Sequence, residues 1–348
     1  MKCPIIISGP CSAETEEQTI ATCTALANTG KVNILRAGMW KPRTNPESFE
    51  GVGERGLMWL AKAKQITGLP IAIEVANAEH TQKALSYGVD YIWIGARTTV
   101  NPFNVKEIAT VLKDSKVKVF IKNPISPDIS LWVGAIERVA HSIGLENIGL
   151  VHRGFSAYGY SEYRNVPLWH LIFDIRREFP QLKLICDPSH ICGKRETLFD
   201  VAQTAANLSY DGLMIESHIC PDAAWSDARQ QITPEELKNL VDSIKWREDD
   251  TDNSIFTYSL SKFRSNIDQV DSDLFELLSR RMKIAEEIGK IKLNGDVSIF
   301  QGQRWQDVIA RIVSRSERLS LSESFIRSIL DAIHAESIKR QSEIMNKK

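Results

Sequence analysis

At 348 residues, with 43 Lys and Arg against 44 Asp and Glu and a net charge of -1, the chain exceeds one ordinary domain. It has length enough for a large core and no charge bias toward nucleic acid or an anionic membrane. Its opening apolar run, Ile5-Ile6-Ile7, is too short for a signal peptide, and no stretch is long and apolar enough to span a bilayer. The six cysteines (Cys3, Cys11, Cys23, Cys186, Cys192 and Cys220) lack CxxC spacing, which, with no export signal, predicts a reduced, cytoplasmic chain.

Residues 1–245 alternate short apolar runs with amphipathic segments. The runs are Ile5–Ile7, Val32–Leu35, Ile71–Ile73, Tyr91–Ile94, Val117–Ile121, Ile148–Val151, Leu182–Cys186 and Gly212–Ile215. Between them lie helix-like stretches such as 14–28, 53–67, 131–143 and 233–245, the last opening on a capping Thr233 with Pro234 at the first helical position. Strand-then-helix repeated eight times in this length predicts an α/β fold, a (β/α)8 barrel. A doubly wound open sheet is the alternative, but no GxGxxG follows a strand.

Each run ends in residues with chemistry. Leu182 to Cys186 stops at Asp187-Pro188-Ser189-His190, because Pro188 cannot donate to a sheet ladder. The other ends are Gly9-Pro10-Cys11-Ser12; Arg36, then Lys41-Pro42-Arg43-Thr44; Glu74; Gly95-Ala96-Arg97; Lys122-Asn123-Pro124; His152-Arg153-Gly154; and Glu216 with His218, with Asp227 in the loop beyond. In a barrel all these ends converge on one face. Arg36, Lys41, Arg43, Arg97, Lys122 and Arg153 would repel one another in an empty mouth, which implies multiply anionic ligands. Cys11, His190, Glu216 and Asp227 form a mixed sulfur, nitrogen and oxygen set suited to a divalent transition metal. Cys192 and Cys220 read as structural.

Residues 246–255 are polar and acidic and read as a linker. Only helix is predicted beyond it, over 256–348. Ile267, Val270, Leu274, Leu277, Ile284, Ile288 and Ile291 fall in steps of three and four once Arg281 is counted as the missing member. A stripe of roughly 40 residues, about 60 Å, needs a partner helix, and an arginine within it costs stability unless it meets an anion. At about 100° per residue Lys292 lies within roughly 20° of Arg281, while Arg264 is about 100° away and points elsewhere, into a partner's site. Arg304, Ser337 and Gln341 add polar groups, the last two one turn apart.

The strand-end motifs, Gly-Pro-Cys-Ser, Arg-x4-Lys-Pro-Arg-Thr, Gly-Ala-Arg, Lys-Asn-Pro, His-Arg-Gly, Asp-Pro-Ser-His and Glu-Ser-His followed by Ser226-Asp227, resemble those of 3-deoxy-D-arabino-heptulosonate 7-phosphate (DAHP) synthases of the shorter microbial branch. The resemblance covers residues 4–245 and implies metal-dependent condensation of phosphoenolpyruvate with erythrose 4-phosphate, the first step of the shikimate pathway. It implies that Arg36, Lys41, Arg97, Lys122 and Arg153 hold phosphoenolpyruvate, that Arg43 and Thr44 meet the aldose phosphate with Pro42 also substrate-binding, and that Lys122 and Asp187 are catalytic. It also implies one divalent ion of the Mn, Fe, Co or Zn class on Cys11, His190, Glu216 and Asp227. The related 3-deoxy-manno-octulosonate 8-phosphate synthases typically carry Lys-Ala-Asn-Arg where this chain has Lys41-Pro42-Arg43-Thr44, which favours the four-carbon sugar; Asn45 replaces the usual Ser or Thr. An N-terminal regulatory domain is not expected, since the first strand begins at residue 4.

Residues 256–345 resemble the all-helical chorismate mutases, with Arg264, Arg281, Lys292, Arg304, Ser337 and Gln341 at that family's substrate-contacting positions and Arg281, Lys292 and Gln341 as the catalytic ones. Gln301 stands where Asp is common and Trp305 where Glu is common. Together the resemblances imply a bifunctional, cytoplasmic enzyme that also turns chorismate into prephenate, with no nucleic-acid or membrane partner. It would be a homodimer through the helical part, or a tetramer built on it. The alternatives are a helical part that only dimerises and senses prephenate or chorismate, and an octulosonate-type barrel.

Overall fold

Eight parallel strands close on themselves in sequence order: β1 (Ile5–Gly9), β2 (Ile34–Ala37), β3 (Ile71–Val75), β4 (Tyr91–Ile94), β5 (Lys118–Lys122), β6 (Ile148–His152), β7 (Lys183–Cys186) and β8 (Gly212–Glu216). Closure is made by β1 on β8, in register from Ile5 with Gly212 to Gly9 with Glu216. The closed barrel, not the open sheet, is the fold. The computed structural model describes residues 3–41, 47, 49–157, 161–247 and 254–346. The chain divides into two compact units, Met1–Asp249 and Asp250–Lys348.

Local sequence accounts for most element ends. The helix Ile129–Ile143 starts where the Asp128 carboxylate accepts from Ser130 N. The helix Pro234–Ser243 starts on a reciprocal Thr233–Glu236 capping box. β2 begins two residues later than its apolar run because the Asn33 side-chain carbonyl takes the Ile6 N–H at 2.7 Å, in place of a ladder partner.

Side chains alternate along a strand, so parity decides which residues face the barrel axis. Ile7, Ile34, Ala72, Trp93, Phe120, Val151, Ile185 and Met214 form a packed interior cluster. A much larger cluster, including Leu35, Ile73, Ile92, Ile121, Leu184 and Leu213, lies between sheet and helices. Two residues on from the interior layer, at the carboxyl end of the barrel, the same parity brings Gly9, Arg36, Glu74, Gly95, Lys122, Arg153, Asp187 and Glu216. That layer is the mouth.

The second unit has helices Ser254–Asn294, Gly302–Val313, Ser316–Leu319 and Glu323–Met345. The first begins inside the stretch expected to be linker. It packs on Glu323–Met345 through buried Ala285 and the close approach of Gly289, where an added Cβ would stand 3.2 Å from Gln341 Cα. The neighbouring stripe, Ile267 to Ile291, stays exposed within the chain, Ile267 at 58% and Ile291 at 71%. Among the described residues no helix is long and apolar enough to cross a membrane.

Candidate active site

Cys11 lies two residues beyond β1, fully buried, with its amide on Gln231 Oε1 at 2.9 Å. Its Sγ is 3.3 Å from Asp227 Oδ2 and 2.9 Å from Lys41 Nζ. Donor atoms of Cys11, Glu216 and Asp227 lie within 4.8 Å of one another. His190 flanks this group, its Nε2 3.8 Å from Glu216 Oε1. Burial, then the charge of Glu216, pushes the Cys11 thiol up to about 12, against the opposing pull of Lys41. Glu216 is held below the usual carboxylate range: its burial opposes ionisation, but His190, Arg36 and Lys41 outweigh it. Glu216 Oε1 is buried and makes no hydrogen bond among the described residues, its closest charge being the Arg36 guanidinium at 3.2 Å. A divalent cation fits this corner, because it would satisfy that oxygen and take the thiolate that burial otherwise disfavours. The sulfur, carboxylate and imidazole donors suit a transition metal over Mg or Ca.

Beside it sits a buried lysine. Lys122 Nζ pairs with Asp187 Oδ2 at 2.8 Å, and both are buried. The Asp187 carboxylate also caps the short helix Pro188–Cys192, accepting from His190 N at 3.1 Å, and meets His190 Nδ1 at 2.8 Å. Burial alone would raise the Asp187 carboxyl, but the charges of His190 and Lys122 hold it well below its ordinary value. The imidazole is thereby oriented with Nδ1 on Asp187 and Nε2 toward the cluster.

The cations of the mouth are less naked than their count implies. Arg36 Nη1 is 3.2 Å from Glu216 Oε1, and its guanidinium lies 4.7 Å from the centre of the Trp93 ring. Arg153 donates to Asn165 Oδ1 at 2.6 Å, and burial pushes it down to about 10, still a cation at neutral pH. Lys41 meets Cys11, Lys122 meets Asp187, and Arg97 is exposed at the start of the helix after β4. Glu74 is in the same layer, accepting from Trp93 Nε1 at 3.0 Å, in space Gly95 leaves open. Four acids, Glu74, Asp187, Glu216 and Asp227, thus offset part of the positive charge. Pro42, Arg43, Thr44 and Asn45 lie outside the described residues.

One expected strand-end residue does not enter the mouth. His152 has the opposite parity to Val151 and Arg153, so it faces the helices, among Phe155, Trp169 and Tyr210, with Tyr210 Oη 2.8 Å from Nδ1. Burial pushes it down to about 3. His218 is also tied up, its Nε2 3.5 Å from Glu14 Oε2.

Several groups escaped the sequence reading. Arg164 Nη1 donates to Asp227 Oδ1 at 3.2 Å and to Gln230 Oε1 at 2.8 Å, and Gln230 Nε2 donates to Glu216 Oε2 at 2.6 Å. Asn165, the next residue, receives Arg153 and donates to His190 O at 2.7 Å. Gly193 lets this segment approach, since a Cβ there would lie 2.6 Å from Arg164 Cβ. Arg164 and Asn165 sit far from any strand end, so the strand-end pattern does not reach them.

In the helical unit Arg281 Nη1 donates to Ser337 Oγ at 2.6 Å, and burial lowers the Arg281 pKa. Gln341 follows one turn on, donating to Ser337 O at 3.3 Å, with Oε1 buried and unpartnered among the described residues. Lys292 reaches the turn after its helix, donating to Ile299 O at 2.5 Å. Trp305 stacks flat on His334, with ring centres 3.9 Å apart. Its partner could have been sought from spacing, because His334 precedes Ser337 by three on one face. Arg264 and Arg304 are exposed.

Comparison with known proteins gives a match to the DAHP synthetase I family over residues 2–252 and to chorismate mutase type II over residues 263–342. The chain is 32% identical over 240 residues to a phospho-2-dehydro-3-deoxyheptonate aldolase of Thermotoga maritima, covering 69% of this chain and 68% of that one. It is 29% identical over 269 residues to a 2-dehydro-3-deoxyphosphooctonate aldolase of Desulfatibacillum aliphaticivorans, covering 69% and 90%. The crystal structure of a Thermotoga maritima DAHP synthase aligns with a TM-score of 0.62 at 31% identity, covering 68% of this chain and 67% of that one. A truncated form of 3-deoxy-D-arabino-heptulosonate 7-phosphate synthase from the same organism aligns at 0.60 and 28%, covering 68% and 84%.

Proposed function

The chain belongs to the DAHP synthetase I family and joins to its barrel a type II chorismate mutase domain, and from that membership we propose that it condenses phosphoenolpyruvate with erythrose 4-phosphate and separately rearranges chorismate to prephenate. The barrel enzyme occupies 1–245, with 246–255 as tether and the mutase in 256–348. The observation that carries the first activity is the meeting of Cys11, Glu216 and Asp227 with the Lys122–Asp187 pair and Arg36 in one mouth.

Arg36, Lys41, Arg97, Lys122 and Arg153 bind the carboxylate and phosphate of phosphoenolpyruvate, while Arg43 and Thr44 meet the aldose phosphate and Pro42 lies beside them in the substrate-binding segment. Asp187 holds the Lys122 ammonium in place and orients His190. A divalent transition metal of the Mn, Fe, Co or Zn class, held by Cys11, His190, Glu216 and Asp227, would supply Lewis acidity to the aldehyde. Carbon 3 of the enol ester adds to the aldehyde carbon, and water adds at carbon 2. The carbon–oxygen bond to phosphorus then breaks at carbon 2 and phosphate leaves. The proton that water gives up balances the one gained by the aldehyde oxygen.

The mutase step is pericyclic and needs no nucleophile. Arg281 and the partner's Arg264 bind carboxylates, Lys292 and Gln341 meet the ether oxygen as it gains charge, and Arg304 and Ser337 complete the contacts. A homodimer covers the exposed stripe from Ile267 to Ile291 and brings the partner's Arg264 to the site; pairs of dimers would make a tetramer. The setting is the cytoplasm.

Two assays on the purified chain test this: phosphate release from phosphoenolpyruvate plus erythrose 4-phosphate, and loss of chorismate. Likeness to the octulosonate aldolase keeps a five-carbon sugar as the second reading. A kcat/KM higher with arabinose 5-phosphate than with erythrose 4-phosphate would establish that one instead.

A further inference from the structure

The helix Glu323–Met345 carries a histidine whose ring nitrogen is unsatisfied. His334, Ser337 and Gln341 fall in steps of three and four along it, so they share one face. Arg281 donates to Ser337 Oγ on that face, and its charge also acts on His334. Two polar atoms of the face, His334 Nε2 and Gln341 Oε1, are buried and make no hydrogen bond among the described residues. Buried polar atoms are costly to leave unpaired, so two of them beside one arginine form a surface that a polar ligand satisfies.

The imidazole is held in one plane. Trp305 lies flat on it, with ring centres 3.9 Å apart and planes at 9°. Phe300 stands 6.2 Å away, tilted by 59°. Lys292 reaches the same corner, since it donates to the carbonyl of Ile299, the residue before Phe300. Trp305 offers a donor N–H and no acceptor, so its contribution here is the stack that sets the direction of Nε2. Burial, and then the charge of Arg281, hold His334 below the ordinary histidine range, which leaves it uncharged near pH 7. An uncharged imidazole nitrogen suits a neutral hydrogen-bonding partner, giving to it or accepting from it.

Chorismate has such a group. It carries two carboxylates, an ether oxygen and one ring hydroxyl. The carboxylates go to the arginines, and the ether oxygen to Lys292 and Gln341, whose amide has both a donor and an acceptor end. Ser337 Oγ is already engaged, receiving Arg281 and donating to Ile333 O, and Arg304 is exposed. The hydroxyl is left without a partner, and so is His334 Nε2.

We propose that His334, its ring plane set by Trp305, binds the ring hydroxyl of chorismate through Nε2 and makes the helical site selective for substrates that carry it; this rests on the mutase reading of that site. His334 is then a substrate contact and Trp305 a positioning residue.

The test compares chorismate with 4-deoxychorismate, which lacks the hydroxyl, in the full chain, with each rate divided by the uncatalysed rate of the same compound. The parent should favour chorismate in kcat/KM by about tenfold or more. His334→Phe keeps a ring on Trp305 and removes the nitrogen. It should lose about tenfold on chorismate and stay within about twofold of the parent on 4-deoxychorismate. His334→Gln, which restores a donor and an acceptor, should stay within about threefold on both. A loss in His334→Phe that is equal for the two compounds would make His334 structural and overturn the proposal. So would a parent that treats the two alike, a comparison that needs no variant and holds whatever the stability of His334→Phe. A parent with no chorismate turnover overturns the mutase reading and the proposal with it, whereas turnover without selectivity overturns the proposal alone.

Discussion

Arg164 and Asp227 are paired at 3.2 Å, and the same guanidinium nitrogen reaches Gln230, which in turn holds Glu216. One arginine therefore orients two of the three clustered donors from outside the cluster. Asp227 is left with Oδ2 toward Cys11, and Glu216 with Oε1 inward. Outer partners of this kind typically tune metal affinity by about 10–100-fold. Arg164→Met should weaken Co²⁺ binding to the metal-depleted chain by about that factor, read from the cobalt absorption bands. The melting temperature of the metal-depleted protein should stay the same. Unchanged cobalt affinity would reduce Arg164 to a surface ion pair.

Chelation should separate the two activities. EDTA is expected to abolish condensation and leave chorismate rearrangement largely intact, because the clustered donors found among the described residues are in the barrel. Cys11→Ala should behave as the chelated enzyme does. Loss of both activities in a chain that stays folded would argue against separate sites, and full condensation in Cys11→Ala would remove that thiol from the ligand set.

His152 makes the barrel acid-sensitive. Its folded-state pKa is pushed down to about 3 by burial, against 6.5 for the free side chain. Above about pH 6.5 it is neutral in both states and carries no pH-dependent cost. As pH falls from there toward 3, the unfolded chain takes up a proton that the folded one refuses, so stability declines across that window. His152→Asn, lacking the titration, should show a flatter dependence of urea midpoint on pH between about 6.5 and 3, whatever its absolute stability. An identical slope would mean that His152 is protonated in the native barrel.

We expect the two units to be coupled. Prephenate or chorismate held at Arg281 is expected to inhibit condensation, with a coupling of about 1–3 kcal/mol. Linkage then requires barrel ligands to change affinity at the helical site by the same factor. Condensation would be followed against added prephenate in the intact chain, in a chain ending near Lys245, and in Arg281→Ala. Inhibition should appear in the intact chain alone. Equal inhibition of the truncated barrel would put the effector in the barrel instead.

What the amino-acid sequence determined by itself was local. Apolar runs, capping residues such as Thr233 and stops such as Pro188 mark the strands, the helices and the points where Lys122, Asp187, His190 and Glu216 emerge, since each depends on neighbours a few residues away. Strand period was legible as well, and would have separated outward His152 from inward Arg153. Closure was decided only in three dimensions: an open sheet uses the same runs, and the pairing of β1 with β8 links residues some 207 positions apart. The same holds for Arg164, Gln230 and Asp227, which meet because loops from different strand ends cover one mouth. Trp305 likewise lies on His334 only after its helix has folded back. Such contacts leave no periodic trace, because loop path and barrel closure, not local preference, bring those side chains together.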